Sequence, residues 1–198
     1  MNKVFDYNGA QISHSRPVKQ LKTVKKMLVV DSGDRDVQKY PYNGDFVVYL
    51  PRVYENVVSL RLAGAEFPAS PVTKSGGSLG TPLYYIVDLE GLNKMDECSV
   101  GADRSGYPDG MYAKIPVEDP TKVVLYNDHS QPENIAHYTP AVGKLDRMRV
   151  RTRLHSQKQT TDFIKWNSGE LSLTFEIEML DNVFDDFSSF ESRIADRA

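Results

Sequence analysis

The chain has 198 residues, 40% of them hydrophobic, with a formal net charge of −3. That length and apolar content suit one sizeable core with appendages rather than two large domains, and the charge disfavours a protein whose whole surface coats nucleic acid. A single cysteine, Cys98, rules out an intramolecular disulfide and fits a reducing compartment. No stretch near Met1 reads as a signal peptide, and no apolar run approaches the roughly 20 residues that span a bilayer, so secretion and membrane insertion are not expected.

In chain order, residues 1–26 lack periodicity and carry Lys3, Arg16, Lys19, Lys22, Lys25 and Lys26 against Asp6, which predicts an extended basic arm. Met27 to Val30 is a short apolar run of strand type. Asp31 to Gly44 is a polar, turn-rich loop. Asp31, Asp34 and Asp36 raise the question of calcium, but Gly33 is misplaced for an EF-hand and position twelve counted from Asp31 is Tyr42. The expectation is an Asx-stabilised turn instead. Phe46 to Leu50 reads as a strand stopped by Pro51. From Val57 the pattern alternates, with Val58, Leu60 and Leu62 inward and Ser59 and Arg61 outward. Ala69 to Pro82 contains SGGSLGTP and reads as a flexible loop. Leu83–Leu89, Met111–Val117 and Val123–Tyr126 are further strand candidates around an irregular stretch, Gly91 to Gly110.

The last strand is the cleanest: Leu171, Leu173, Phe175, Ile177 and Met179 alternate with Ser172, Thr174, Glu176 and Glu178. Its expected partner is Asp146 to Leu154, where Met148, Val150 and Leu154 take the apolar face and Arg147, Arg149, Arg151 and Arg153 form a row on the other. Cross-strand pairing to Glu176 and Glu178 is the plainest use of that row, and it leaves Arg151 and Arg153 as surplus cations for an acidic neighbour, anionic head groups or nucleic acid. Beyond Leu180, residues 181–198 predict a short amphipathic helix bearing Phe184, Phe187, Phe190 and Ile194. That helix packs either on its own sandwich or on a neighbouring subunit.

No residue pattern supports catalysis, a cofactor or a metal. His14, His129, His137 and His155 have no metal-ligand spacing, Gly76, Gly77 and Gly80 lack the lysine of a phosphate loop, and Cys98 has no paired histidine nearby in sequence. The expected class is therefore a non-enzyme. One alternative is a carbohydrate- or ligand-binding β-sandwich module whose site would be exposed tyrosines such as Tyr84, Tyr85, Tyr107 and Tyr112.

Two blocks carry a resemblance. In the first, D-S-x-D-R-D at Asp31 to Asp36, K-Y-P at Lys39 to Pro41, D-F-x-V-x-L-P at Asp45 to Pro51 and Y-x-N-V-x-S-L-x-L-x-x-A-E-x-P at Tyr54 to Pro68 follow one another. In the second, L-D-R-M-R-V begins at Leu145 and G-E-x-S-L-x-F-E-I ends at Ile177. Both are similar to minor capsid proteins of large icosahedral nucleocytoplasmic DNA viruses, the chloroviruses and their relatives, where the second block looks like a closing hairpin. The resemblance implies an all-β, jelly-roll-like antiparallel β-sandwich over residues 27–180. It implies a structural protein of the virion, assembled in host cytoplasm, that lies on the inner face of the capsid and ties capsomers together. Its partners would be the major capsid protein and other minor capsid proteins, with room for contact with an inner membrane surface and no specific nucleic acid. The residues expected to meet those partners are Lys19, Lys22, Lys25, Lys26, Arg151, Arg153, Phe187 and Phe190.

Overall fold

The computed structural model describes residues 22–95, 98, 110–128, 134–155 and 163–181. Residues 24–180 form one compact unit. The other unit, residues 1–23 with 181–198, is described only at Lys22, Thr23 and Asp181, where the Asp181 N–H donates to the Lys22 carbonyl at 2.8 Å. Lys19, Phe187, Phe190 and the expected C-terminal helix lie outside the described residues.

All described regular structure is strand apart from one 3-10 turn, Ser32–Asp34, in keeping with the all-β expectation. The strands are β1 (Thr23–Asp31), β2 (Asp45–Phe67), β3 (Val72–Thr73), β4 (Tyr84–Leu89), β5 (Ala113–Pro116), β6 (Val124–Asn127), β7 (Ile135–Arg153), β8 (Ile164–Lys165) and β9 (Ser172–Leu180). One sheet runs β1-β9-β2-β7-β4-β5, with β6 also on β2, and β3 pairs with β8 beside it. Every ladder between β2 and β6, β7 or β9, and from β4 to β5 or β7, is antiparallel. The sheet curls until its two ends share one core: the Tyr112 ring, just ahead of β5, meets Phe175 of β9 edge-on at 5.9 Å, and its hydroxyl donates to the Leu60 carbonyl at 2.7 Å. This curled antiparallel sheet is consistent with the expected sandwich class.

Period-two alternation builds the core as expected on β9, where Leu173, Phe175 and Ile177, with Leu171 just ahead of the strand, are buried and Glu176 faces out. Met148 and Val150 join the same cluster. Each such side chain removed from water contributes about 1.5–3 kcal/mol. Phe67, Tyr85 and Trp166 complete it as three mutually contacting rings, with centroids 5.2 to 5.8 Å apart.

Several expectations are corrected. Pro51 does not end a strand: β2 continues through it, while the β7 register jumps from Tyr49 to Tyr54, so that Pro51, Arg52 and Val53 bulge outward. A residue without an N–H is tolerated there because the ladder is already interrupted. A second irregularity between Val57 and Ser59, next to Asn56 at φ +52°, turns Val57 rather than Val58 into the core. The expected loop from Ala69 to Pro82 contains β3, paired to β8 through Val72↔Lys165 and Thr73↔Ile164. β7 and β9 are not a hairpin: they flank β2 on opposite edges, so Glu176 and Glu178 do not lie across a ladder from the arginine row. β1 begins at Thr23, which places Lys25 and Lys26 on a strand rather than in an arm.

Candidate interaction surface

The turn after β1 engages Asp31, Ser32, Arg35 and Asp36 of the DSGDRD segment within the fold. Asp31 accepts from the Gly33 N–H at 2.7 Å, and Asp36 accepts from the Gln38 and Lys39 N–H groups, which is the expected Asx chemistry. Ser32 is fully buried. Its hydroxyl donates to Glu170 at 2.5 Å and accepts from the Leu171 N–H at 2.9 Å, and its own N–H donates to the Leu171 carbonyl at 2.9 Å. Arg35 donates to the Ser32 carbonyl, the Tyr40 carbonyl and Glu170. Burial would raise the Glu170 carboxyl, yet the Arg35 and Ser32 hydrogen bonds outweigh it and hold it below the ordinary value. The block is a staple between β1 and the start of β9, fastened at Ser32 and Arg35 to Glu170 and Leu171.

The outer face of β2, β7 and β4 holds the arginines. Its register sets Asp45, Arg151 and Asp88 side by side, then Val47 beside Arg149, then Tyr49 beside Arg147. Arg149 grips Asp45 with two hydrogen bonds, at 3.0 and 3.2 Å, and reaches Glu90 at 3.2 Å. The Asp45 carboxylate raises the Arg149 pKa above its ordinary value. Arg151 meets Asp45 at 3.4 Å. Arg153 is 2% exposed and clamps Asp88 at 2.5 and 3.3 Å. Arg151 and Arg153 are therefore not surplus cations. Asp45, Asp88 and Glu90, carboxylates on neighbouring strands and the turn beyond β4, supply the pairing expected from Glu176 and Glu178. Among the described residues, the member of the row without an ion pair is Arg147.

Glu176 serves a different cluster, bridging Lys25 at 3.0 Å and Arg61 at 3.0 Å. Those two cations hold its carboxyl below the ordinary value and it raises Arg61 in return. Ser59 donates to Glu178 at 3.0 Å. Of the arm lysines, Lys22 and Lys26 are exposed and Lys25 is engaged as described.

Beside Arg147 lies a shallow cavity of about 320 Å³ lined by Lys39, Tyr40, Val47, Tyr49, Glu90 and Arg149 as well. It adjoins one of about 390 Å³ lined by Asp88, Glu90, Gly91, Asn93, Arg149 and Arg151. With Lys39, Arg147 and Arg149 against Glu90, the first is net positive, and Tyr49 beside it is 76% exposed. Arginine forks and an exposed phenol suit carboxylate-bearing protein surfaces. The sequence pointed to the row, but the identity of its unpaired member depended on which strands flank β7.

The alternative site of exposed tyrosines does not assemble. Tyr85 and Tyr112 are fully buried in the core, where burial pushes the Tyr85 hydroxyl up to about 12 and Tyr112 also upward. Tyr107 lies outside the described residues. Among the described residues no three His, Cys, Asp or Glu side chains cluster as metal ligands, and no helix is long and apolar enough to cross a membrane. No family model matches the chain, and no curated protein matches it.

Proposed function

We propose that the chain is a structural minor capsid protein of a large icosahedral DNA virus, tying capsomers together on the inner face of the shell. The observation that carries this is the use made of the DSGDRD segment, the most distinctive part of the resemblance. Asp31, Ser32, Arg35 and Asp36 all serve as internal fastenings, which suits a motif that specifies a frame rather than a chemistry. The two blocks that carry the resemblance also supply the end of β1, β2, the part of β7 from Leu145 onward and most of β9. On this reading the Tyr49–Arg147 surface docks against acidic patches of the major capsid protein or of other minor capsid proteins, and the protein works by adhesion.

The test is composition and place. Particles purified from infected host cells are expected to contain the chain, released only when the capsomer layer is dissociated. A particle reconstruction is expected to fit the 24–180 unit beneath that layer. Absence of the chain from purified particles overturns the proposal.

A further inference from the structure

β1 ends the sheet, with β9 on one side and no strand on the other among the described residues. Its backbone phase follows from its two ends: the Ser32 N–H donates to Leu171, and the Lys22 carbonyl accepts from Asp181. Because N–H and C=O of one residue point to the same side and sides alternate, the even-numbered residues of β1 face β9. Lys25, Met27, Val29 and Asp31 present their backbone groups to the free edge. The same residues carry the outward side chains. Met27 is 58% and Val29 64% exposed, an apolar pair on an open strand edge, the arrangement that proteins ordinarily suppress.

We infer that two copies of the chain pair through this edge, antiparallel, about a two-fold axis at Leu28. An isologous contact requires a self-complementary strand, and β1 is one in this register. Met27 falls opposite Val29 of the second copy and Val29 opposite its Met27, so each covers the other. Lys25 falls opposite Asp31 of the second copy, twice over, giving two opposite-charge pairs at the ends of the contact. Lys25 reaches Glu176 at 3.0 Å but is 60% exposed at its side chain, which leaves it open to a second carboxylate. The four outward-facing residues of each copy make hydrogen-bonded pairs, about eight backbone bonds in all, two for each such pair. Shifting the centre to Met27 sets Lys25 against Val29 and loses both charge pairs, so side-chain chemistry selects the Leu28 register. The pairing also brings the two copies together beside a groove of about 420 Å³ whose apolar lining includes Leu28, Val30, Val48, Leu50 and Tyr54.

The register makes the test specific. In a full-length Cys98→Ser background, Met27→Cys and Val29→Cys copies are prepared separately, mixed and oxidised. The expected product is the mixed disulfide, since opposed Cα atoms about 5.5 Å apart lie within bridging range. A Met27→Cys preparation that cross-links efficiently with itself, or a mixture that gives no mixed dimer, overturns the inference. Light scattering on the unmodified chain over a concentration series is expected to show a doubling of mass. Val29→Lys and Met27→Lys, changes at exposed side chains, are expected to abolish that doubling with an unchanged far-ultraviolet dichroism spectrum. A chain monomeric throughout the series, or a dimer that survives both lysine variants, overturns it as well.

Discussion

Asn43 and Trp166 hold each other at two points: the Asn43 amide donates to the Trp166 carbonyl at 2.8 Å, and the Trp166 N–H donates to the Asn43 side-chain oxygen at 3.1 Å. A side chain thus completes a strand-like pair of hydrogen bonds for a segment that has no ladder there. Asn43 also donates to the Gly169 carbonyl at 2.9 Å, and the Trp166 indole N–H donates to Thr152 at 3.0 Å. Asn43 and Trp166 are both buried.

Replacing Asn43 by Ala strands the Trp166 N–H and carbonyl away from water. A buried group left without its partner costs about 1–3 kcal/mol, and more than one is affected here. The expected loss of stability in urea is about 2–4 kcal/mol with an unchanged m-value. Near-wild-type stability of Asn43→Ala would show that this clip is not structural.

A second expectation concerns Arg153 and Asp88, where the guanidinium is almost entirely buried. Asp88→Ala leaves that charge short of its carboxylate and is expected to cost about 3–5 kcal/mol. Removing both partners in Asp88→Leu/Arg153→Met is expected to cost clearly less than the sum of the single changes. A double-mutant cycle measures the difference, and additive losses would refute strong coupling of the pair.

How far the sequence foretold this structure depends on the kind of information each feature needs. Alternation on β9, the Asx turn at Asp31 and the all-β class are local properties, and periodicity with turn chemistry is enough to read them. The partner of each strand is not local. Arg149 lies opposite Val47 and grips Asp45 because β7 pairs with β2, and a sequence that places β7 near β9 along the chain carries no sign of it. Pro51 misled because a proline signals the loss of a ladder bond, and a long strand with an interruption meets that demand as well as a strand end does. Tyr85 and Tyr112 look like surface aromatics by position, whereas the curl of the sheet encloses both. Gly44 reads as loop punctuation. In the fold, a Cβ at that position would collide with the Ile164 carbonyl, a contact 120 residues away in sequence.

That collision gives a third prediction. Gly44→Ala forces backbone against backbone, with no flexible side chain to yield, so the loss is expected to exceed the usual overpacking range of about 1–3 kcal/mol. A melt of Gly44→Ala that coincides with the parent would contradict the close approach.

Acid titration supplies the fourth. Glu176 is held below its ordinary value of 4.5 by Lys25 and Arg61, so in the folded state it binds its proton less readily than in the unfolded chain. Its stabilising contribution is therefore complete above the unfolded value and is lost as pH falls through the lower, folded value. Glu176→Gln is expected to melt below the parent at neutral pH, with the gap closing on acidification below about pH 4.5. A gap that stays constant across that range would mean the carboxylate charge is not what Lys25 and Arg61 recognise.

The last prediction addresses the docking surface. Arg147 is exposed and has no ion pair among the described residues, so Arg147→Glu is expected to change stability by no more than about 0.5 kcal/mol. Arg153→Glu, by contrast, buries a carboxylate against Asp88 and is expected to unfold the chain, so it cannot report on binding. If Arg147 steers the chain toward an acidic patch on the shell, Arg147→Glu slows incorporation into particles and flattens its dependence on salt, because exposed charges act over roughly 8–10 Å at physiological ionic strength. Tyr49→Ala removes apolar contact area rather than charge. Its expected effect is weaker retention after assembly, with the salt dependence of incorporation unchanged. Incorporation and wash-out measured for both variants across a salt series separate steering from holding. Parental behaviour from both would remove the Tyr49–Arg147 face from the contact and leave the free edge of β1 as the surface to pursue.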